Sequence, residues 1–356
     1  MRAVYATVER VMRASDVKAS AYVQDEILEA LESASDSVDR LVNLGDATRP
    51  AFAPWTGTIS FDWPTVNNGE AYRFWLNQFR LHSLTSLVSG GENVYASALL
   101  WPGSGAPYSA IEIDTSTSDA LEIGAEGTGQ RSLVAGGIWG VVGGDRTRTA
   151  WTLGTTATSS TSTLTLNAPT GVGSIVLIGS ERVMVTARSW VTSAQTASAL
   201  TASAADSSIT VATGSAFLAR EEILIDSERM LIRDISGNVL TVQRAVGGST
   251  LAAHSSGATV YWARSCDIDR GALGTTAASH SSGDAISIYF PPPMVEQLTV
   301  AYAIDQRSQE NVGYASSLAH IRGERQSTAT DVGAVGIAAL EARLLAAYGR
   351  IRHRAI

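Results

Sequence analysis

Two phrases in this chain are written twice, and their order constrains the fold more than any composition figure. Residues 175–184 read I-V-L-I-G-S-E-R-V-M and residues 223–230 read I-L-I-D-S-E-R-M. Further on, R-A-V-G-G-S-T-L-A-A-H-S-S-G starts at Arg244 and R-G-A-L-G-T-T-A-A-S-H-S-S-G at Arg270. One copy is continuous, from SSITVATGSAF to ATVYW. The other has its front half, STLTLNAPTGVGSIVLIGSERVMVTARS, ahead of that copy and its back half, CDIDRGALGTTAASHSSGDAISIYF, behind it. A tandem duplication would run front, back, front, back. The order front, whole, back predicts nesting, with one β module inserted into its own duplicate. The break falls where the continuous copy has I-S-G-N, a hairpin signal, and hairpin tips bring chain ends together and tolerate insertion. Nesting therefore predicts that residues 182–189 pair antiparallel with residues 266–271.

The segments outside the repeat read differently. Residues 22–44 have helical spacing, with Val23, Ile27, Leu31, Ala34, Val38 and Leu41 on one face and Gly45 as a stop. Asp25, Glu29, Glu32, Asp36 and Asp39 form a second stripe, read as a solvated face or, more sharply, as a surface that does not hold DNA. Residues 50–142 are short alternating runs between turn signals, and Trp55, Trp63, Trp75, Trp101 and Trp139 are expected to anchor a small core there. The triple proline at 291–293 ends the β region. MVEQLTVAYAIDQ then has helical spacing, and a last helix is expected from Asp331 as N-cap, with Leu340, Leu344, Tyr348 and Ile351 on one side and the basic run R-I-R-H-R at its end.

The chemistry is sparse. A net charge of −8 disfavours a general nucleic-acid binder, whose affinity comes from basic side chains on phosphates. Cys266 is the single cysteine, which excludes an intrachain disulfide, and its expected role is a buried small side chain. The one lysine, Lys18, lies outside any Gly-rich loop, and no nucleophile elbow, dinucleotide fingerprint or H-E-x-x-H pair occurs. Asp267-Ile268-Asp269 lacks the ligand order of a calcium loop and reads as strand and turn. His254-Ser255-Ser256-Gly257 and His280-Ser281-Ser282-Gly283 each precede a strand. Recurrence within a structural repeat favours turn geometry over a nucleophile–base pair. The reading is a non-enzyme with no catalytic, metal or cofactor residues, and the apolar window at Leu133 is too short for a membrane span.

The outer segments resemble the head-to-tail adaptors, or connectors, of long-tailed bacteriophages, in the form found in phages of actinobacteria. The likeness is carried by Y-A-T-V-E-R-V-M-R-A-S-D-V-K, D-E-I-L-E-A-L-E-S-A-S-D-S-V-D-R-L, F-D-W-P, R-F-W-L-N-Q-F-R-L-H-S-L-T-S-L-V-S-G-G, A-P-Y-S-A-I-E-I-D, G-G-I-W-G-V and A-L-E-A-R-L-L-A-A-Y-G-R. It covers residues 1–150 and 291–356. The β repeat is separately similar to segments common in phage virion proteins.

The resemblance implies an α+β fold, with a helical adaptor core carrying a small β elaboration and a large all-β insertion of the duplicated module. Its units would be 1–153 with 291–356 as the core, 154–191 with 264–290 as the outer module, and 192–263 as the inner module. It implies a ring of about twelve subunits on the portal protein at the neck of the virion, assembled in the host cytoplasm. Its partners would be the portal, the next neck or tail connector and its own copies, with DNA passing through and no membrane or cofactor involved. By the same analogy Tyr348, Arg350, Arg352, His353 and Arg354 grip the portal, and Asp25, Glu29, Glu32, Asp36 and Asp39 line the channel. The alternative is a minor tail or host-surface protein that binds glycan through the duplicated module, which exposed Trp190 or Trp262 would favour.

Overall fold

The computed structural model describes residues 3–15, 24–44, 49–62, 73–114, 116–117, 130–141, 144–322 and 329–349. Trp63, Gly45, Lys18, Ile351 and residues 323–328 lie outside them. Two helices open the chain, α1 (Val8–Ser15) and α2 (Gln24–Val42). The first β region holds β1 (Trp55–Phe61), β2 (Arg73–Trp75), β3 (Leu81–Ser89), β4 (Glu92–Asn93), β5 (Ala98–Trp101), β6 (Ala110–Ile113) and β7 (Leu133–Trp139). The second holds β8 (Gly144–Leu153), β9 (Thr163–Asn167), β10 (Ile175–Ile178), β11 (Glu181–Thr196), β12 (Ser208–Thr210), β13 (Glu222–Ile225), β14 (Glu228–Ser236), β15 (Val239–Gln243), β16 (Thr259–Asp269) and β17 (Ala285–Phe290). The chain closes with α3 (Pro293–Arg322) and α4 (Ala329–Tyr348).

Strand accounts for 40% of the residues and helix for 24%. The expected helical core with a small β elaboration is therefore wrong: the chain is predominantly β. The helices bury one small cluster of their own, with Val8, Val11, Ile27, Leu31, Val300 and Ala303, but most of the buried side chains lie on strands. The helices pack as a cap on sheet and barrel.

The repeat builds the barrel. Strands β11-β10-β17-β8-β9-β16 follow one another, and β16 pairs back onto β11, so six strands close on themselves. The pairing required by nesting is present: Met184 faces Asp269, Arg188 faces Cys266 and Ser189 faces Ser265. In the inner copy the corresponding partners are Leu231 with Gln243, Ile235 with Leu240, and Ser236 with Val239. Even the irregularity recurs, with a register shift between Val185 and Ala187 in one hairpin and between Ile232 and Asp234 in the other. After Ser236 the inner hairpin turns through Gly237, at a φ of 58°, and Asn238. After Ser189 the outer hairpin instead runs on, Val191 on Trp262 to Thr196 on Thr259, and becomes part of the inner module. Long β11 and β16 are thus shared by both modules. Each module keeps its own core, with Leu164, Leu166, Val176 and Ile286 in the outer and Ile209, Ile223, Ile232 and Leu240 in the inner.

Residues 55–139 form two small sheets, ordered β1-β7-β3-β4 and β2-β6-β5, around Trp139, Leu81, Leu87 and Ile111. Trp55 and Trp139 anchor this core as expected, stacked with centroids 5.8 Å apart. Trp75 and Trp101 do not. Each is 45% exposed, because strand alternation turns Phe74 and Leu100 toward the core and both tryptophans away from it.

The cap joins the N-terminal and C-terminal helices. Burying Ile27, Leu31, Val38 and Val42 of α2 contributes about 1.5–3 kcal/mol each. Val295, Leu298 and Leu344 of the C-terminal helices enter the same cluster as Tyr5, Val38 and Phe52. Pro293 opens α3, where its fixed φ and missing N–H cost nothing. α4 already includes Asp331, so that residue is not the N-cap.

Candidate functional site

The β10–β11 hairpin ends in a two-residue turn, Gly179-Ser180, that presents Glu181 to the interior of the outer module. Glu181 is fully buried. Arg270 Nε donates to its Oε1 and Arg270 Nη2 to its Oε2, each at 2.7 Å. The backbone N–H groups of Gly271 and Ala278 donate at 2.9 and 3.0 Å, and His280 Nε2 lies 2.8 Å from Oε2. The remaining guanidinium hydrogens go to the carbonyls of Thr158, Thr161 and Ala278. In the inner module Glu228, Arg244 and His254 repeat the arrangement. Arg244 Nε and Nη2 donate to Glu228 at 2.7 and 2.8 Å, Ala245 and Ala252 donate their N–H groups at 3.0 Å, and His254 Nε2 stands 2.9 Å away.

Burial by itself would raise both carboxyl pKa values. The arginine, imidazole and backbone donors outweigh it and bring Glu181 and Glu228 from 4.5 down to about 2. The two repeated phrases are therefore the two halves of one ion-pair node: S-E-R supplies the carboxylate, and the R…A-x-H phrase supplies its donors. Each node fixes the tip of one hairpin to a segment distant in sequence.

The histidines have no serine partner in this arrangement. His254 Nδ1 faces Asp226 at 2.6 Å, so both ring nitrogens meet carboxylates. His280 Nδ1 lies 4.0 Å from Asp284. Ser281 donates its N–H to Asp284, and the hydroxyl of Ser282 donates to the carbonyl of Gly154, so these serines shape a turn. The turn reading of His-Ser-Ser fits this geometry. What it missed was the Glu–Arg node behind each histidine, and the recurrence of Glu, Arg and His in both copies was the available signal. Cys266 is buried as expected, and burial pushes its thiol up to about 11.

Tyr348, expected at a portal contact, stands edge-on to Phe52 with centroids 5.1 Å apart, against the core of the cap. Arg350, Arg352, His353 and Arg354 lie outside the described residues. In the acidic stripe of α2, Asp25 and Glu29 are exposed and Glu32 is half-buried. None of the three forms an ion pair with a described residue. Asp36 pairs with Arg40 at 2.6 Å. Asp39 is not on that face: it is buried and accepts a 2.7 Å hydrogen bond from the Tyr5 hydroxyl, which in turn accepts the Phe52 N–H at 3.1 Å. Neither Trp190 nor Trp262 is openly exposed. The Arg229 guanidinium lies 5.7 Å from the Trp190 ring, and Arg264 sits 3.9 Å over Trp262, which also packs on Phe217.

A cleft of about 340 Å³ opens where α1, the barrel and the inner module meet. Six arginines and three glutamates line it, an excess of three positive charges. Arg10 pairs with Glu296 at 3.3 Å, Arg13 with Glu222 at 2.6 Å, and buried Arg188 with both Glu9 and Glu222. Arg146, Arg148 and Arg220 are exposed and pair with no carboxylate among the described residues. Arg146 lies over the Phe290 ring at 4.6 Å and Arg148 over Trp151 at 5.6 Å. These residues went unremarked in the sequence, although D-R-T-R-T-A places two arginines on one face of a strand. Among the described residues no group of histidine, cysteine and carboxylate side chains could hold a metal ion, and no helix is long and apolar enough to cross a membrane.

Comparison with known protein families, curated proteins and solved structures finds no match.

Proposed function

We propose that this chain is a non-enzymatic structural protein of a phage virion that joins head to tail at the portal vertex. The observation that supports this reading is the meeting of the N-terminal and C-terminal segments of the chain. Described residues from both segments that carry the resemblance to connectors meet in one cap, in which Tyr5, Phe52, Val295, Leu298, Leu344 and Tyr348 share a core. The duplicated β module lies between them in the chain. Copies of the chain form a ring on the portal, DNA passes through it, and the next neck component docks on its far side.

In this reading Tyr348 holds the root of the C-terminal segment against Phe52. Arg350, Arg352, His353 and Arg354 then reach into carboxylates of the portal, where charge-assisted hydrogen bonds are about twice as strong as neutral ones. Truncation after Gly349 removes the basic residues and leaves the Tyr348 anchor in place. In co-sedimentation with assembled portal, the full chain is expected to bind, and the truncated chain to bind at least about tenfold more weakly. A full chain that does not sediment with portal overturns the proposal.

A further inference from the structure

Two charged surfaces of this molecule lack ion-pair partners among the described residues, and they match. On α2, Asp25, Glu29 and Glu32 follow one another at helical spacings of four and three, so they share one face and span roughly 10 Å of helix. Asp36 and Glu26 are already engaged, with Arg40 and Arg307. In the cleft, Arg146, Arg148 and Arg220 supply three positive charges that Glu9, Glu222 and Glu296 leave uncompensated. Arg146 and Arg148 stand two residues apart on β8, so both project from one face of the strand. Behind them the Nε of Arg188 is buried without an acceptor.

We propose that the acidic face of α2 in one copy of this chain seats its carboxylates on the arginines of the cleft in the next copy. Three carboxylates meet three guanidinium groups, and a cleft of about 340 Å³ has room for a few side chains. Phe290 and Trp151 lie beneath Arg146 and Arg148 and hold their guanidinium planes, so little side-chain freedom is lost on pairing. The two surfaces differ, so the contact is head-to-tail. Repetition of one such contact closes a ring or grows a filament, according to the rotation it imposes. The acidic face then meets a neighbouring subunit and not a channel.

A second copy fits the cleft better than a nucleic acid does. The molecule carries −8 overall, which opposes the approach of a polyanion, whereas a second copy brings the negative charge as one local stripe. The contact deepens the ring reading above but does not depend on a portal. Self-association of the purified chain and its binding to portal can each fail while the other stands.

Sedimentation velocity on the full-length chain tests the contact, with circular dichroism to check that each variant is folded. The wild type is expected to associate with rising concentration in 50 mM salt and to lose at least about tenfold in affinity in 500 mM salt, as exposed charges are screened. The cleft variant R146E/R148E and the helix variant E29R/E32R should each remain monomeric alone. Mixed in equal amounts they should associate again, because each then carries the charge the other needs. A wild type that stays monomeric, a reversed variant that associates like the wild type, or a mixture that does not recover overturns the proposal. So does a cleft that binds a single-stranded oligonucleotide through Arg146 and Arg148 in a chain that does not self-associate.

Discussion

Replacing Glu228 by Gln removes one oxygen charge from the centre of the inner module and should unfold that module first. Glu228 is fully buried and accepts from Arg244 twice, from two backbone N–H groups and from His254. Its displacement from 4.5 to about 2 corresponds to roughly 3 kcal/mol of preference for the ionised form. Gln forfeits that preference, turns an amide N–H₂ toward donors and leaves the Arg244 charge buried without its counter-ion. Breaking one side of a buried pair costs about 3–5 kcal/mol. Urea denaturation at pH 7 should therefore show a separate early transition of that size, followed by the Trp262 environment. Because the folded-state pKa is depressed, the node's contribution is complete above about 4.5 and disappears as pH falls toward about 2. The gap between wild type and variant should close over that same window. A loss below about 1 kcal/mol at pH 7, or a gap that does not narrow in acid, would refute the assignment of the repeated phrases to a structural ion-pair node.

Three further outcomes follow from the same structure. Excision of residues 190–264, with Ser189 joined to Ser265 through Gly-Asn, copies the Ser236–Val239 turn; the shortened chain should fold cooperatively in calorimetry, and aggregation would count against nesting. Tyr5→Phe leaves buried Asp39 and the Phe52 N–H without the hydroxyl and should cost about 1–3 kcal/mol in denaturant titration, with an unchanged midpoint as the contrary result. The Cys266 thiol, buried and held up to about 11, should resist a thiol-specific reagent at pH 8 in the native protein and react once the protein is unfolded; rapid native labelling would place it at the surface.

The nesting of the β module was legible in the sequence because its determinants are local and repeated, whereas the closure of its strands into a barrel was not. The S-E-R turn and the R…H phrase each recur, the latter with the same spacing, and the I-S-G-N tip of the continuous copy marks where the other is broken, so order alone revealed the insertion. The purpose of Glu181 and Glu228 was not legible, since their arginines sit just past the ends of β16 and β15, which only the fold brings near. Periodicity put Asp39 on the solvent stripe because it counts residues along one helix and does not register Tyr5, 34 positions earlier, waiting with a hydroxyl. Trp75 and Trp101 were assigned to a core on hydrophobicity, while the phase of the strand decides which face they take. The helical core suggested by resemblance is only a small part of the fold, as α1, α2 and α3 share one buried cluster while the sheets and barrel hold most of the rest.

The most direct test of the structural role is the copy number of this chain relative to the portal protein in purified virions, measured by quantitative mass spectrometry. A ring seated on the portal predicts a ratio near one to one. A ratio far from that, or the absence of the chain from virions, would contradict it.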